Sequence, residues 1–234
     1  MRWKCTCGKS KRRKRGKPNR IRGGTKAKKH EFPWMVRIIG GCVQAAKTYD
    51  PTNYDVGACG GSLISPRLIV SAYHCSLGDW DWPCYHSDGK RLAVLGRRSV
   101  NKRSVSSYYT IPIIDVKYPE YASPDLYYDK GHDFAIFILK RPAKFSSKIS
   151  PICLPKQNEE FGGKRAVAAG WGQTKPSKES NRQSQVLRKV WLKVSKKNYK
   201  HYNMFGTITV KKNGIYQDPC VGDSGKIDDV QAKV

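Results

Sequence analysis

The feature that most restricts the fold of this 234-residue chain is a series of short runs rich in β-branched and aromatic residues. Glycine and proline turn signals, such as Gly40-Gly41 and Ser65-Pro66, separate the runs. Many short strands with this punctuation predict an all-β barrel or sandwich, with one short helix at Ser195–Asn203. The predicted strands are Met35–Ile39, Ser62–Ser65, Arg67–Ala72, Arg91–Leu95, Thr110–Val116, Phe134–Leu139, Arg165–Ala169, Val186–Val194 and Thr207–Lys211.

The chain is strongly basic, with 45 Lys or Arg against 18 Asp or Glu and a net charge of +27. Residues 1–20 hold ten of the basic residues and no acid, and are predicted to be a flexible basic segment. A positive field of this size attracts polyanions: nucleic acid, heparin-like glycans, anionic membranes or acidic proteins. The alternative is a solvated basic surface that serves solubility. No run reaches the roughly 18 apolar residues of a membrane span, so a spanning helix is excluded.

The eight cysteines indicate an oxidised, extracellular protein, because their number is even and they are widely spaced in a basic chain. Cys5-Thr6-Cys7 and Cys84-Tyr85-His86 lack the paired ligand spacing of a structural zinc site. The sequence therefore predicts neither a metal site nor a cofactor.

Three residues in different parts of the chain have the chemistry of a nucleophilic site. Ser224 lies in Gly222-Asp223-Ser224-Gly225, which alone is also compatible with an ordinary turn. Serine is a weak nucleophile that needs a base, commonly a histidine oriented by a carboxylate. His74 follows an apolar run, and Asp133 precedes another, where burial would be costly for an unpaired acid. These three residues are therefore candidate catalytic groups.

Six further segments occur in a distinctive order along the chain: Ile21-Arg22-Gly23-Gly24, Cys59–Ile64, Ser71–Cys75, His132–Ala135, Pro151–Pro155 and Gly170-Trp171-Gly172. With the three candidates, they resemble the trypsin/chymotrypsin family of serine proteases, which has the same His–Asp–Ser order. The resemblance extends from Ile21 to Gly225 and implies two six-stranded antiparallel Greek-key barrels. The first would comprise about residues 21–145 and the second about 146–234, after a pro-segment at 1–20.

The resemblance implies a role for each candidate. Ser224 would attack the scissile carbonyl, with His74 as general base and then general acid. Asp133 would orient the imidazole and stabilise its protonated form. The backbone N–H groups of Gly222 and Ser224 would form the oxyanion hole.

Specificity and activation are implied in the same way. Asp218, six residues before Ser224, matches the acid at the base of a trypsin-like pocket and would favour cleavage after Lys or Arg. Its alternative is a plain turn acid. Cleavage after Arg20 would release the α-amine of Ile21, which in the family pairs with the acid that precedes the nucleophile, here Asp223.

The resemblance also implies disulfides. Cys59 and Cys75 match the pair that brackets the catalytic histidine. Cys153 matches the cysteine that holds the propeptide in some zymogens of the family, with Cys5 or Cys7 as its partner. Cys42 and Cys84 lie in two inserted loops and are a further possible pair.

The resemblance ends at the C-terminal side of the nucleophile. The family continues for several dozen residues, whereas this sequence stops ten residues after Ser224, at Val234. We therefore expect a truncated second barrel that is incomplete at its C-terminal end, with Cys220 left without its family partner. The N-terminal residues contain no apolar segment typical of a secretory signal.

The sequence thus predicts a secreted, trypsin-like serine endopeptidase made as a zymogen. Its expected partners are protein or peptide substrates, an activating protease and heparin-like polyanions, with nucleic acid disfavoured because charge alone supports it. The alternative function is a catalytically impaired, truncated homologue that acts as a polyanion-binding or decoy protein.

Overall fold

A computed structural model describes residues 7–10, 25–39, 58–76, 91–99, 110–120, 133–172, 183–199 and 204–208. In these ranges the fold is all-β: ten strands and a 3₁₀ helix at Tyr73–Cys75, with no α-helix. Accordingly, the described part of the chain contains no helix that is long and apolar enough to cross a membrane. The strands are β1 Thr25–Lys26, β2 Met35–Ile39, β3 Ala58–Leu63, β4 Leu68–Ser71, β5 Arg91–Leu95, β6 Thr110–Lys117, β7 Ala135–Leu139, β8 Arg165–Gly170, β9 Arg188–Tyr199 and β10 Met204–Ile208.

Six strands close into an antiparallel barrel in the order β2-β3-β4-β7-β6-β5. Closure depends on β2, which pairs with β3 along one edge and with β5 along the other, so the barrel has no unpaired edge. Apolar side chains from all sides fill its interior. Val36, Leu63, Ile69 and Phe137 have no exposed surface, and Leu95 has almost none.

The second sheet has four antiparallel strands centred on the long strand β9. β8 pairs along one side of β9, and β1 and then β10 pair along the other. The short strand β1 thus belongs to the second sheet although it precedes the barrel in the chain. A small apolar cluster of Ala166, Ala168, Val190, Leu192 and Val194 covers one face of this sheet. The predicted second barrel is represented by these four strands, and its C-terminal part lies outside the described residues.

Polar contacts join the barrel and the segment after β5 to the segments that flank the strands of the second sheet. The Arg37 side chain of β2 is almost fully buried and donates a hydrogen bond to Oε1 of the buried Gln183. The indole Nε1 of Trp171 donates to the backbone oxygen of Arg98 at 3.1 Å. The main apolar core is also shared, because it includes Trp171 as well as the barrel interior.

The strand predictions at Met35–Ile39 and Arg91–Leu95 are confirmed residue for residue, and most of the others differ by one to five residues at their ends. The end of the predicted strand Thr207–Lys211 lies outside the described residues, and β1 was not among the predicted strands. The predicted helix at Ser195–Asn203 is wrong, because β9 continues as a strand to Tyr199. The reason is pairing: Tyr199 lies opposite Met204 in β10. A helix of two turns is marginal by itself, so backbone hydrogen bonds to a neighbouring strand are favoured over it.

Candidate active site

His74 lies on the 3₁₀ helix that directly follows β4. The helix is fixed at its end by the disulfide between Cys75 and Cys59, whose Cα atoms are 6.1 Å apart. It is also fixed at its start, where the Ser71 hydroxyl donates to the backbone oxygen of Gly60 at 2.8 Å. Both contacts tie the histidine turn to β3, so the backbone of His74 has a defined position at the end of the barrel.

Asp133 reaches the same end of the barrel from another strand. It lies two residues before β7, which pairs antiparallel with β4 so that Ala135 is opposite Ser71. In an antiparallel pair, the residues that follow one strand meet those that precede the other. The topology therefore brings together two residues that are 59 positions apart in the sequence.

The Asp133 carboxylate contacts both the backbone and the ring of His74. Oδ1 accepts a hydrogen bond from the His74 backbone N–H at 2.9 Å, and Oδ2 lies 2.8 Å from the ring Nδ1. Both side chains are about 30% exposed. The two contacts fix the carboxylate and the plane of the ring together, and we refer to these residues as the His–Asp pair.

The surroundings of Asp133 favour the ionised form of its carboxyl group. Partial burial raises the pKa of this group. The hydrogen bonds from the side chain and backbone of His74 lower it by more, so the pKa lies below its ordinary value. An ionised carboxylate only accepts hydrogen bonds, so Nδ1 of His74 carries the hydrogen in this contact. The other ring nitrogen, Nε2, is then the position that can accept a proton from a substrate or nucleophile.

The remaining residues that the sequence predicts for the site lie outside the described residues. They are Ser224, Gly222, Asp218, Asp223, Arg20 and Ile21. The structure therefore brings together the His–Asp pair and the Cys59–Cys75 disulfide, and their roles and those of the other six residues stay predictions.

A second disulfide joins Cys7 to Cys153, with a Cα separation of 4.9 Å. The sequence left either Cys5 or Cys7 as the partner of Cys153, and the structure shows that the bond forms with Cys7. Next to it, Gly8 donates its N–H to the oxygen of Pro151 at 2.9 Å and has a φ of 67°, which favours glycine. The disulfide thus attaches the N-terminal segment to a part of the fold that is 146 residues away in the sequence.

The arrangement near His74 also includes a cluster of potential metal ligands. The ligand atoms of Cys59, His74 and Cys75 lie within 4.8 Å of one another. A thiolate, however, is the form of cysteine that binds metals, and both sulfurs are engaged in the disulfide. These residues therefore do not fit a metal ion in the oxidised protein.

Some residues that support the histidine turn gave no signal in the sequence. The Arg91 guanidinium, from the start of β5, donates to the backbone oxygen of Ser76, just after the turn. Tyr73 packs edge-on against Tyr118 with 4.8 Å between ring centroids. These side chains line a cavity of about 280 Å³ behind the turn. A sequence pattern cannot reveal such contacts because the partners come from separate strands.

A comparison with models of protein families agrees with this geometry, because residues 21–226 match the family described as Trypsin. The chain belongs to the trypsin family. Family membership accounts for the closed barrel and for the placement of a histidine and an aspartate at one end of it.

Two curated relatives show how this family member compares with longer proteins. Melanization protease 1 of Drosophila melanogaster is 30% identical over 88% of this chain and 53% of its own length. An inactive CLIP domain-containing serine protease, A28, of Anopheles gambiae is 30% identical over 70% of this chain and 38% of its own length. The chain thus spans about half the length of these relatives or less.

Among solved structures, human heparin binding protein has a similar fold, with a TM-score of 0.63 and 24% sequence identity. The similarity covers 89% of this chain and 80% of that one. At this identity the likeness shows the fold alone, which is the trypsin-like arrangement of the two sheets.

Proposed function

We propose that this protein is a trypsin-like serine endopeptidase that hydrolyses peptide bonds through an acyl-enzyme. The observation that carries the proposal is the double contact from Asp133 to the backbone N–H and ring Nδ1 of His74, at 2.9 and 2.8 Å. The contact fixes a ring whose second nitrogen can take a proton. The match of the family to residues 21–226 supports Ser224 as the nucleophile.

In the proposed reaction, Nε2 of His74 accepts the hydroxyl proton of Ser224 as the serine oxygen attacks the peptide carbonyl. The ring then carries a positive charge, which the Asp133 carboxylate stabilises. The same proton passes to the leaving amine, and an acyl-enzyme remains. Water then attacks the ester with His74 as base, which releases the acid product and restores the serine. The N–H groups of Gly222 and Ser224 would stabilise the oxyanion.

The direct test is covalent labelling of the serine. The full chain, cleaved after Arg20, is treated with a fluorophosphonate probe, and the labelled residue is identified by peptide mass spectrometry. We expect labelling at Ser224 and none in a Ser224→Ala variant. A folded, cleaved sample that takes up no probe would contradict the proposal.

Specificity and activation complete the proposal. Asp218 would place a carboxylate opposite a Lys or Arg side chain of a protein substrate. Residues 1–20 would be a pro-segment, and 21–234 the peptidase domain, with a boundary between its two barrels near residue 145. An activating protease would cut at Arg20–Ile21, and the new Ile21 amine would pair with Asp223. The two disulfides and the family support secretion.

The Asp218 proposal has its own test in peptide cleavage. We expect Asp218→Ser to reduce kcat/KM for substrates with Lys or Arg at the cleaved position while the fluorophosphonate still labels Ser224. Undiminished cleavage after Lys or Arg would refute this assignment without affecting the proposed nucleophile.

A non-catalytic homologue is a second candidate function, and it is favoured by the similarity to a relative named as an inactive protease. In that case the fold would serve binding, in keeping with a net charge of +27 and with the fold that the chain shares with heparin binding protein. The labelling experiment separates the two candidates, because only the catalytic one predicts modification of Ser224.

A further inference from the structure

Five exposed cationic residues lie together at one end of the closed barrel. They come from the turn before β4 and from the segment after β7, and we call them the basic strip: Arg67, Lys140, Arg141, Lys144 and Lys148. The strip belongs to the barrel and is separate in sequence from the basic N-terminal segment.

Backbone and side-chain hydrogen bonds hold the two parts of the strip against each other. The Arg67 guanidinium donates from Nε and Nη2 to the oxygen of Leu139 at 3.1 and 3.0 Å. The N–H of Ala143 donates to the oxygen of Pro66 at 2.7 Å, which places Lys144 beside the turn that carries Arg67. The charges are therefore mounted on a fixed backbone.

The rest of the strip is similarly anchored. Nη2 of Arg141 donates to the oxygen of Thr110 at 3.2 Å. Lys148 lies in a turn that is closed by antiparallel bridging between Ser146 and Ile149, and its N–H donates to the Ser146 hydroxyl at 3.2 Å. All five residues therefore lie on or next to hydrogen-bonded backbone at this end of the barrel.

This surface has no neutralising acid nearby in sequence. Residues 61–76 and 134–158 contain neither Asp nor Glu. Within the described part of the chain, the ε-ammonium groups of Lys140, Lys144 and Lys148 take part in no ion pair. Like charges held together repel one another, so a polyanion that lies across the strip would remove an unfavourable interaction.

The strip and the His–Asp pair occupy opposite ends of the same two strands. Arg67 precedes β4 and Lys140 follows β7, whereas His74 follows β4 and Asp133 precedes β7. At about 3.3 Å per residue, the strands separate the two ends by roughly 15 Å. A ligand on the strip would therefore leave the proposed catalytic end open.

We propose that the basic strip is a binding site for a sulfated glycosaminoglycan, and this inference does not depend on the proposed peptidase activity. A linear chain with repeated sulfate groups can contact several cations that are carried on hydrogen-bonded turns. The disulfides Cys7–Cys153 and Cys59–Cys75 indicate an oxidising, extracellular setting, where sulfated glycans are the abundant linear polyanions. The strip is built on turns, and presents no helix or strand ribbon to enter a nucleic-acid groove.

The test measures binding of a fluorescently labelled heparin oligosaccharide to the full chain by anisotropy, at about 0.15 M salt, where the screening length is about 8 Å. The strip variant carries Lys140→Ser, Lys144→Ser and Lys148→Ser. The matched control carries Lys26→Ser, Lys29→Ser and Lys193→Ser, which are also exposed and give the same net charge. A third variant replaces the N-terminal residues Arg12, Arg13, Lys14 and Arg15 by serine.

We expect the strip variant to bind heparin at least about tenfold more weakly than wild type, and its affinity to depend less on salt concentration. In the control variant we expect the affinity to change by only about twofold. Unchanged melting temperatures would show that all variants fold. Fluorophosphonate labelling of each variant separately reports the proposed peptidase activity.

Three results would overturn the proposal. One is an equal loss in the strip and control variants, which would mean that only net charge matters. Another is a loss confined to the N-terminal variant. The last is binding of duplex DNA through the strip as tightly as heparin, which would assign the surface to nucleic acid.

Discussion

At the scale of single residues, the His–Asp pair depends on one carboxylate with two contacts. Asp133→Asn keeps the size of the side chain but removes its charge, and the amide can donate a hydrogen bond to the ring. Because the wrong ring nitrogen would then carry the hydrogen, we expect a fall in the rate of peptide cleavage of about 10⁴-fold. Steady-state kinetics of the cleaved chain measure this fall, with Asp115→Asn, an exposed acid paired to Lys117, as the control. Equal activity of the two variants would contradict the proposed role.

The same carboxylate makes stability depend on pH. Its pKa lies below the ordinary value of 3.8, so its stabilising effect is fully present above that pH. The effect is lost as the pH falls through the lower pKa of the folded protein. We therefore expect wild type to melt above Asp133→Asn near pH 7, and the difference to be smaller near pH 3, below the ordinary pKa of the carboxyl group. Calorimetry at the two pH values checks this, and a difference that is unchanged in acid would refute it.

At the scale of elements, β3 approaches β4 closely because glycine occupies position 61. A Cβ on Gly61 would lie 2.7 Å from Cγ2 of Ile69 and 3.2 Å from the oxygen of Val70. We expect Gly61→Ala to lower the free energy of unfolding by about 1–3 kcal/mol, because a packed barrel interior resists added volume. Denaturant unfolding measures the change.

The neighbouring residue provides an internal control for this prediction. The hydroxyl of Ser62 is buried and has no hydrogen-bond partner in the described part of the chain. Ser62→Ala removes an unsatisfied polar group, so it should be neutral or stabilising. If both alanine variants were equally destabilised, close approach at Gly61 would not be the cause.

At the scale of the whole molecule, the Cys7–Cys153 disulfide joins the N-terminal segment to the body across 146 residues. After cleavage at Arg20, residues 1–20 should therefore stay attached and separate only on reduction. Mass spectrometry with and without reductant measures this. Cys7→Ser should release the segment without reductant, whereas Cys5→Ser should retain it, and the reverse result would contradict the pairing.

The buried contact between Arg37 and Gln183 acts at the same scale, because it links the barrel to the segment that leads into β9. Gln183→Leu removes an acceptor from a buried guanidinium, and we expect a loss of about 1–3 kcal/mol in the free energy of unfolding. Gln183→Glu keeps the acceptor and should be much less destabilised. Equal unfolding of wild type and Gln183→Leu would show that the contact does not stabilise the protein.

The sequence by itself determined the class of fold, most of the strands and the family. It could do so because alternation and turn residues are local signals, and because the segments around His74 and Asp133 are distinctive in type and order. It failed at Ser195–Tyr199, where pairing with β10 was favoured over a local helical tendency. Its two options for the partner of Cys153 also stayed open, since both cysteines have the same local context.

Only the tertiary structure decided which distant residues meet. Closure of the barrel places Asp133 against His74 and, at the opposite end, Arg67 against the segment after β7. It also buries Arg37 against Gln183, which lies in the segment before β9. These contacts depend on antiparallel register between strands far apart in the chain, and no local pattern encodes that register. A charge of +27 was therefore readable in the sequence, but the placement of five of the 45 cationic residues at one end of the barrel was not.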